Sequence, residues 1–286
     1  MSVHQIQKQA NILLSQGLFQ LRSRPIQSLT AKHPPTPGNY LILTGDVPVY
    51  IGEAKALSLR LSQQARPQTS TFYKSHIDIA GETGNDISEF SVQVMATNFG
   101  RKEIEDFGIS NLPNLLNKFQ IGKRKKIDIP PYADDWLHLQ AHAMATISET
   151  AAYCLEVKPA DLQESIGKQS PGLYIIRHEA GNVVYIGESS NVGKRLSTHS
   201  SQTYFSAFRR NLANQLGYSL ITRNGKKRYL SDDAEANVDR YMRECTFTAI
   251  PLHIGRYEVE EYLIAMLNPQ INRKARTGSK ASLESA

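Results

Sequence analysis

Apolar residues at helical spacing open the chain. Val3, Ile6, Ala10, Leu13, Leu14, Leu18 and Leu21 recur every three or four positions and predict an amphipathic helix over 3–22, which Pro25 ends. Trp136, Leu139, Ala143, Ile147, Ala151 and Leu155 predict a similar helix over 136–157, before Lys158-Pro159. Runs rich in aliphatic and aromatic residues predict strands over 39–43 and 172–177. Each is followed by a turn (Thr44-Gly45-Asp46; Glu179-Ala180-Gly181-Asn182) and a second strand, over 47–51 or 183–186, which makes two hairpins. Third strands are expected over 89–95 and 246–250, and closing helices over 101–112 and 256–268. Val259, Leu263, Met266 and Leu267 share a face of the last helix, and Asn268-Pro269 stops it. Each half thus reads as hairpin, helix, strand, helix. The fold class is α+β, with a small, mostly antiparallel three-stranded sheet flanked by helices in each half.

The two halves also repeat their polar residues in order. Gly38-Asn39-Tyr40 precedes Tyr50-Ile51-Gly52-Glu53, and Gly172-Leu173-Tyr174 precedes Tyr185-Ile186-Gly187-Glu188. Arg60-Leu61 and Arg195-Leu196 follow at equal intervals from the second tyrosines. The segment from Gly100 to Ile109 aligns without a gap to the segment from Gly255 to Ile264. Asn117 and Asn272 lie at equal distances after Glu105 and Glu260. Pro25 precedes Gly38 as Pro159 precedes Gly172, so the repeat includes the approach to each hairpin. A length of 286 residues accommodates two domains of ordinary size, divided here as 1–130 and 131–286, with motif cores 38–117 and 172–272. Residues 118–135, a charge run followed by Pro-Pro, have linker composition, and the tail after Arg276 is rich in Gly, Ser and Lys. The second half has an insertion of its own over roughly 214–245.

The formal charge is +6 and the pI about 9.2, which suits nucleic acid or a membrane surface as a partner and equally a mildly basic soluble protein. Cys154 and Cys245 have neither disulfide-framework nor zinc-site spacing, so a reducing cytoplasm fits. No run approaches a membrane span, and the N-terminus lacks the pattern of a signal peptide.

Gly-x-Tyr, then Tyr-Ile-Gly, then Arg, Glu and Asn at these offsets resembles the GIY-YIG nuclease superfamily, in two tandem copies and most like its restriction-type endonucleases. The resemblance implies a DNA endonuclease whose motif tyrosines are Tyr174 and Tyr185, with Arg195, His199, Glu260 and Asn272 completing the second site. Tyr40, Tyr50, Arg60, Glu105 and Asn117 match in the first half, where Gln64 stands at the position of His199. It also implies Mg²⁺ (or Mn²⁺) at Glu260 and Glu105.

The residue types suit that chemistry. Arg195 and His199 are four apart, so one helix face presents both. A guanidinium stays charged and matches phosphate geometry. One carboxylate anchors a Mg²⁺ whose other ligands are waters and phosphate oxygens. A tyrosine near Arg195, His199 and metal-bound water is a base candidate if its pKa falls, and the resemblance makes Tyr174 the better one. Taken singly, each residue has a plainer reading: tyrosines as cross-strand pairs, Arg195 and His199 as solvated surface, Asn117 and Asn272 as helix C-caps. Glu103 and Glu258 are expected to face water, away from Glu105 and Glu260. Only the ordered recurrence of the set outweighs these readings.

Arg209 and Arg210, beside Tyr204 and Phe205, are expected to contact DNA, as are Lys226, Lys227 and Arg228 in the insertion. The run Lys123-Arg-Lys-Lys126 is either a backbone contact or a solvated linker. The reading is a cytoplasmic, monomeric pseudo-dimer, or a homodimer, that cuts both DNA strands. The alternatives are a nickase or repair nuclease with only the second module active, and a non-catalytic DNA-binding protein.

Overall fold

The computed structural model describes residues 1–80, 86–117, 124–179, 181–201 and 203–272. The chain divides into two compact units, Met1–Thr146 and Ile147–Ala286.

In the first unit the helix expected over 3–22 is two helices, α1 (Val3–Lys8) and α2 (Ala10–Arg22), with Gln9 between them. Ser2 and Gln5 close a capping box at the start of α1. There follow β1 (Gln27–Ser28), β2 (Gly38–Thr44), β3 (Val47–Ala54), α3 (Leu57–Gln64), α4 (Thr71–Ala80), β4 (Phe90–Ala96), α5 (Arg101–Asn111) and α6 (Asp134–Ala141). The sheet runs β1-β4-β2-β3 and every neighbouring pair is antiparallel. It has four strands where three were expected, because Gln27 and Ser28 pair with Val92 and Ser91. Two exposed polar residues carry no apolar signal by which a strand is read.

Helix α6 belongs to this unit, whereas the sequence division at 130/131 put it in the second. Trp136 and Leu139 are buried, and the Trp136 backbone N–H donates to Gln16 Oε1 on α2 (2.9 Å). Gln140 holds the backbone at Asn98 and Phe99. The helix expected over 136–157 is therefore broken at His142, after which α7 (Ala143–Glu156) begins.

The second unit continues with α8 (Leu162–Ile166), β5 (Gly172–His178), β6 (Asn182–Ser189), α9 (Val192–Ser201), α10 (Ala207–Gln215), β7 (Ile221–Arg223), β8 (Lys226–Tyr229), α11 (Asp232–Arg243), β9 (Thr246–Pro251) and α12 (Arg256–Leu267). Its sheet is three-stranded, β6-β5-β9, and antiparallel. The insertion folds as the separate ribbon β7-β8 followed by α11.

The two hairpins share one register. Tyr40 lies opposite Gly52 and Tyr174 opposite Gly187, and a bulge follows Ile42 and Ile176 alike. Glycine is required at 52 and 187 by close approach: a Cβ there would overlap the ring and hydroxyl of the facing tyrosine. Each tyrosine joins a core on that face of the sheet. In the first unit it includes Leu57, Leu61, Phe72, Phe90 and Val92; in the second, Val192, Leu196, Phe208, Leu212, Val238 and Phe247. These contacts fix the helix that carries Arg60 or Arg195 against the hairpin. Both cysteines are free and buried, and burial pushes each thiol up to about 12. No helix among the described residues is long and apolar enough to cross a membrane.

Candidate active site

In the second unit, β5 and β6 bring Tyr174 and Tyr185 into a stacked pair with ring centroids 6.1 Å apart. Register explains this: Ile176 faces Tyr185 and Gly187 faces Tyr174, so the tyrosines are diagonal neighbours on one side of the sheet. Helix α9 supplies His199, whose Nε2 lies 2.9 Å from the Tyr174 hydroxyl. Its Nδ1 lies 2.7 Å from Ser206 Oγ, and that oxygen also caps α10 by accepting the Arg209 N–H. Arg195 is exposed one turn before His199, and its charge is felt at Tyr174, Tyr185 and His199. Glu260 on α12 accepts the Glu188 N–H through Oε1 (3.1 Å), while the Glu188 carboxylate pairs with Arg256 (2.9 Å).

Burial dominates the electrostatics. It raises Tyr174 well above the ordinary tyrosine range, assisted by Tyr185 and opposed by Arg195. Tyr185 is raised too, by burial first and then by Glu260. The lowering that a tyrosine base would need is therefore reversed, because removal from water outweighs Arg195 at Tyr174 and Arg195 with Arg210 at Tyr185. Burial and then Arg195, Arg209 and Arg210 hold His199 down to about 3, so its ring is neutral and keeps a free lone pair.

The first unit repeats the tyrosine stack, with Tyr40 and Tyr50 6.3 Å apart. Its hydroxyl network differs. The Thr71 N–H donates to Gln64 Oε1 (3.1 Å), which fixes the amide so that Nε2 donates to the Tyr40 hydroxyl (3.0 Å). Arg60 Nε donates to the same oxygen (3.3 Å). Tyr40 thus receives two N–H groups and, among the described residues, faces no acceptor corresponding to His199. Burial raises Tyr40 as it raises Tyr174.

Glu105 is pushed up to about 8, by burial first and then by Glu53. Glu53 Oε2 is itself buried with no hydrogen-bond partner. Two such carboxylates fit a small hard cation. No group of three or more His, Cys, Asp or Glu among the described residues forms a metal cage. One or two carboxylates completed by water and phosphate is the way Mg²⁺ is usually held, so both units fit it. Without metal, the charged Glu105 costs the fold nothing below the unfolded value near 4.5 and most above about 8. Glu105→Gln in EDTA should therefore leave stability unchanged near pH 4 and raise it by on the order of a few kcal/mol at pH 9, read by denaturant titration.

Asn117 and Asn272 do not cap helices. Each amide clasps one backbone residue of a hairpin: Asn117 donates to Ile51 O (2.8 Å) and accepts its N–H (3.2 Å), and Asn272 does the same at Ile186 (2.8 and 2.9 Å). They position the strand that carries the second tyrosine. Glu103 and Glu258 are buried, 0% and 6% exposed, rather than solvated. Helix α5 packs against α2 as well as against β2 and β3, so a residue two positions from the site still meets protein.

Arg209 does not face solvent where DNA could meet it, contrary to its expected role. Its guanidinium is buried and holds Glu235 and Asp239 (2.6 Å each), Thr203 Oγ1 (2.9 Å) and the His199 carbonyl (3.3 Å). No phosphate can reach it. Arg209→Met should cost roughly 2–4 kcal/mol of stability and leave the salt dependence of DNA binding unchanged, which denaturation and titration check separately. Arg210 holds the Thr203 and Tyr204 carbonyls (3.0 and 2.6 Å), and its charge still reaches Tyr185 and His199. Lys226, Lys227 and Arg228 are exposed on β8. In the basic run, Arg124 pairs with Asp106 (3.2 Å) inside the first unit, Lys125 and Lys126 are exposed, and Lys123 lies outside the described residues.

Ser206 and the Glu188–Arg256 pair are the contributors that spacing did not reveal. Ser206 carried a signal in retrospect, as a serine opening a helical run four residues before Arg210. No curated protein matches the chain. A family model, the GIY-YIG catalytic domain, matches residues 170–272, from just before β5 to the Asn272 clasp. The second unit therefore contains a GIY-YIG catalytic domain, which is a nuclease domain.

Proposed function

We propose that the chain is a Mg²⁺-dependent DNA endonuclease with two GIY-YIG-like modules, cutting both strands at a short site in the manner of a restriction enzyme. Mn²⁺ would serve in place of Mg²⁺. The observation that carries this reading is the Tyr174–His199–Ser206 chain, with Arg195 and Glu260 around it. The tandem reading is supported by the hairpin register, tyrosine stack and asparagine clasp that recur in the first unit.

Arg195 is free to bind the scissile phosphate and to stabilise the charge that develops on it. Tyr174 keeps its proton at rest. The attacking water gives a proton to the Tyr174 oxygen as the Tyr174 proton passes to His199 Nε2. The tautomer this needs has its proton on Nδ1, donated to Ser206 Oγ. Burial first, and then three arginines, hold the His199 pKa down, and an incoming phosphodiester offsets the arginine share by bringing negative charge beside the ring. A cation bound at Glu260 would supply charge stabilisation to the leaving 3′ oxygen. The leaving 3′ oxygen takes a proton from solvent water and His199 returns one to solvent, so the products are a 5′-phosphate and a 3′-hydroxyl.

A second reading, a nickase in which the first unit only binds, is favoured by Gln64, which has no lone pair to offer Tyr40. Digestion of supercoiled plasmid with Mg²⁺ or EDTA separates the outcomes. Linear DNA with 5′-phosphate ends supports the tandem enzyme, and nicked circles that never linearise support the nickase. Untouched plasmid in both Mg²⁺ and Mn²⁺ would remove the nuclease assignment from the intact chain.

A further inference from the structure

The catalytic geometry makes no use of the ribbon β7–β8. Among the described residues it pairs with no other sheet, and residues 221–228 are all exposed. Asn224 and Gly225 at its tip both take left-handed angles (φ 52° and 71°), the turn that matches a hairpin's twist. Arg223 lies opposite Lys226, so the two share a face. Alternation from Lys226 puts Arg228 on that same face, and the register shift between Ile221 and Thr222, which leaves Arg228 as the extra residue, brings Tyr229 there as well. The face is aromatic as well as basic. Arg223 lies over Tyr229 (5.6 Å), and Lys226 and Arg228 lie over Tyr204 (5.8 and 5.7 Å). The two tyrosine rings are 5.1 Å apart. Tyr204 sits in the loop between His199 and Ser206, so the ribbon is fastened to the segment that shapes the second site.

Resting on the nuclease reading, we propose that the β7–β8 ribbon is a duplex-DNA grip that enters the major groove, with Arg223, Lys226 and Arg228 meeting its phosphates and base edges. The groove of B-form DNA admits a two-stranded ribbon, whereas the corresponding groove of A-form RNA is too narrow. Three cations held against aromatic rings lose less side-chain freedom when they meet phosphates than three free ones would. Single strands would need open rings on which successive bases stack. Here Tyr204 is covered by Tyr229, Lys226 and Arg228, and Phe205, 60% exposed, is the one open ring beside the ribbon among the described residues.

The test measures anisotropy of labelled duplex DNA across a salt series, with the full chain carrying Glu260→Gln in EDTA so that nothing is cut. Adding Arg223→Gln, Lys226→Gln and Arg228→Gln together should weaken duplex binding at least tenfold and flatten the salt slope by about 2–3, at roughly 0.9 for each phosphate no longer neutralised. Lys226→Gln alone should weaken binding and flatten the slope. Lys227→Gln, the same charge change on the other face, should have a smaller effect on both. Equal effects of the two single variants, an unchanged triple variant, or equal affinity for single strands or duplex RNA would overturn the grip. If the unsubstituted chain cuts plasmid while the triple variant binds as tightly as its parent, the ribbon inference alone fails. If the unsubstituted chain neither binds nor cuts DNA, the nuclease reading fails with it.

Discussion

Supercoiled plasmid treated with Glu260→Gln protein and Mg²⁺ is expected to remain supercoiled or to be nicked slowly, and never to become linear. Glutamine keeps an oxygen that can accept the Glu188 N–H but loses the charge that would hold a cation. Glu105→Gln should behave differently and accumulate nicked circles, since Tyr174, His199 and Arg195 remain intact. The inequality has a structural basis in the hydroxyl networks: Tyr174 faces a ring nitrogen with a lone pair, and Tyr40 faces two N–H donors. Equal rates for the two variants would show that His199 confers no advantage over Gln64. Complete double-strand cutting by Glu105→Gln would place both cuts at the second site, or at second sites from two chains.

The second large effect is expected at Arg195. Arg195→Lys should lower the cleavage rate by about 10²–10³, the usual cost of removing one donor at a developing oxyanion. An ammonium keeps the charge but not the planar two-point geometry. Arg195 is exposed, so the variant should fold and melt as the parent does, and single-turnover rates should carry the whole difference. Wild-type cutting by Arg195→Lys would reduce its role to that of a diffuse positive charge.

Much of this arrangement was legible in the sequence. The hairpins, the tyrosine pairs, the arginine and histidine one helical turn apart, and the equal Glu-to-Asn intervals all depend on local spacing, which sequence records directly. What escaped was set by partners distant in the chain. Arg209 and Arg210 are adjacent and look alike, but Glu235 and Asp239 on α11 draw one inward. Trp136 carried a correct helical signal, yet only its packing against α2 tells which unit owns it. Glu103 and Glu258 were misjudged because helical position fixes direction and says nothing about what lies there. The protonation of Tyr174 and His199 follows from burial, which residue type does not disclose.

The asparagine clasps have a consequence for solubility. Strands β3 and β6 each lie at the end of a sheet, where unpaired backbone groups invite strands from other molecules. Leu116 and Ile271 donate N–H groups to Val49 and Val184 (2.8 and 3.0 Å), and Asn117 and Asn272 fill the next rung with a side-chain amide. Two residues of irregular chain thereby stop each sheet from growing. Loss of either asparagine would expose that rung in a protein already rich in β-hairpins, and concentration-dependent aggregation would then mask any effect on turnover.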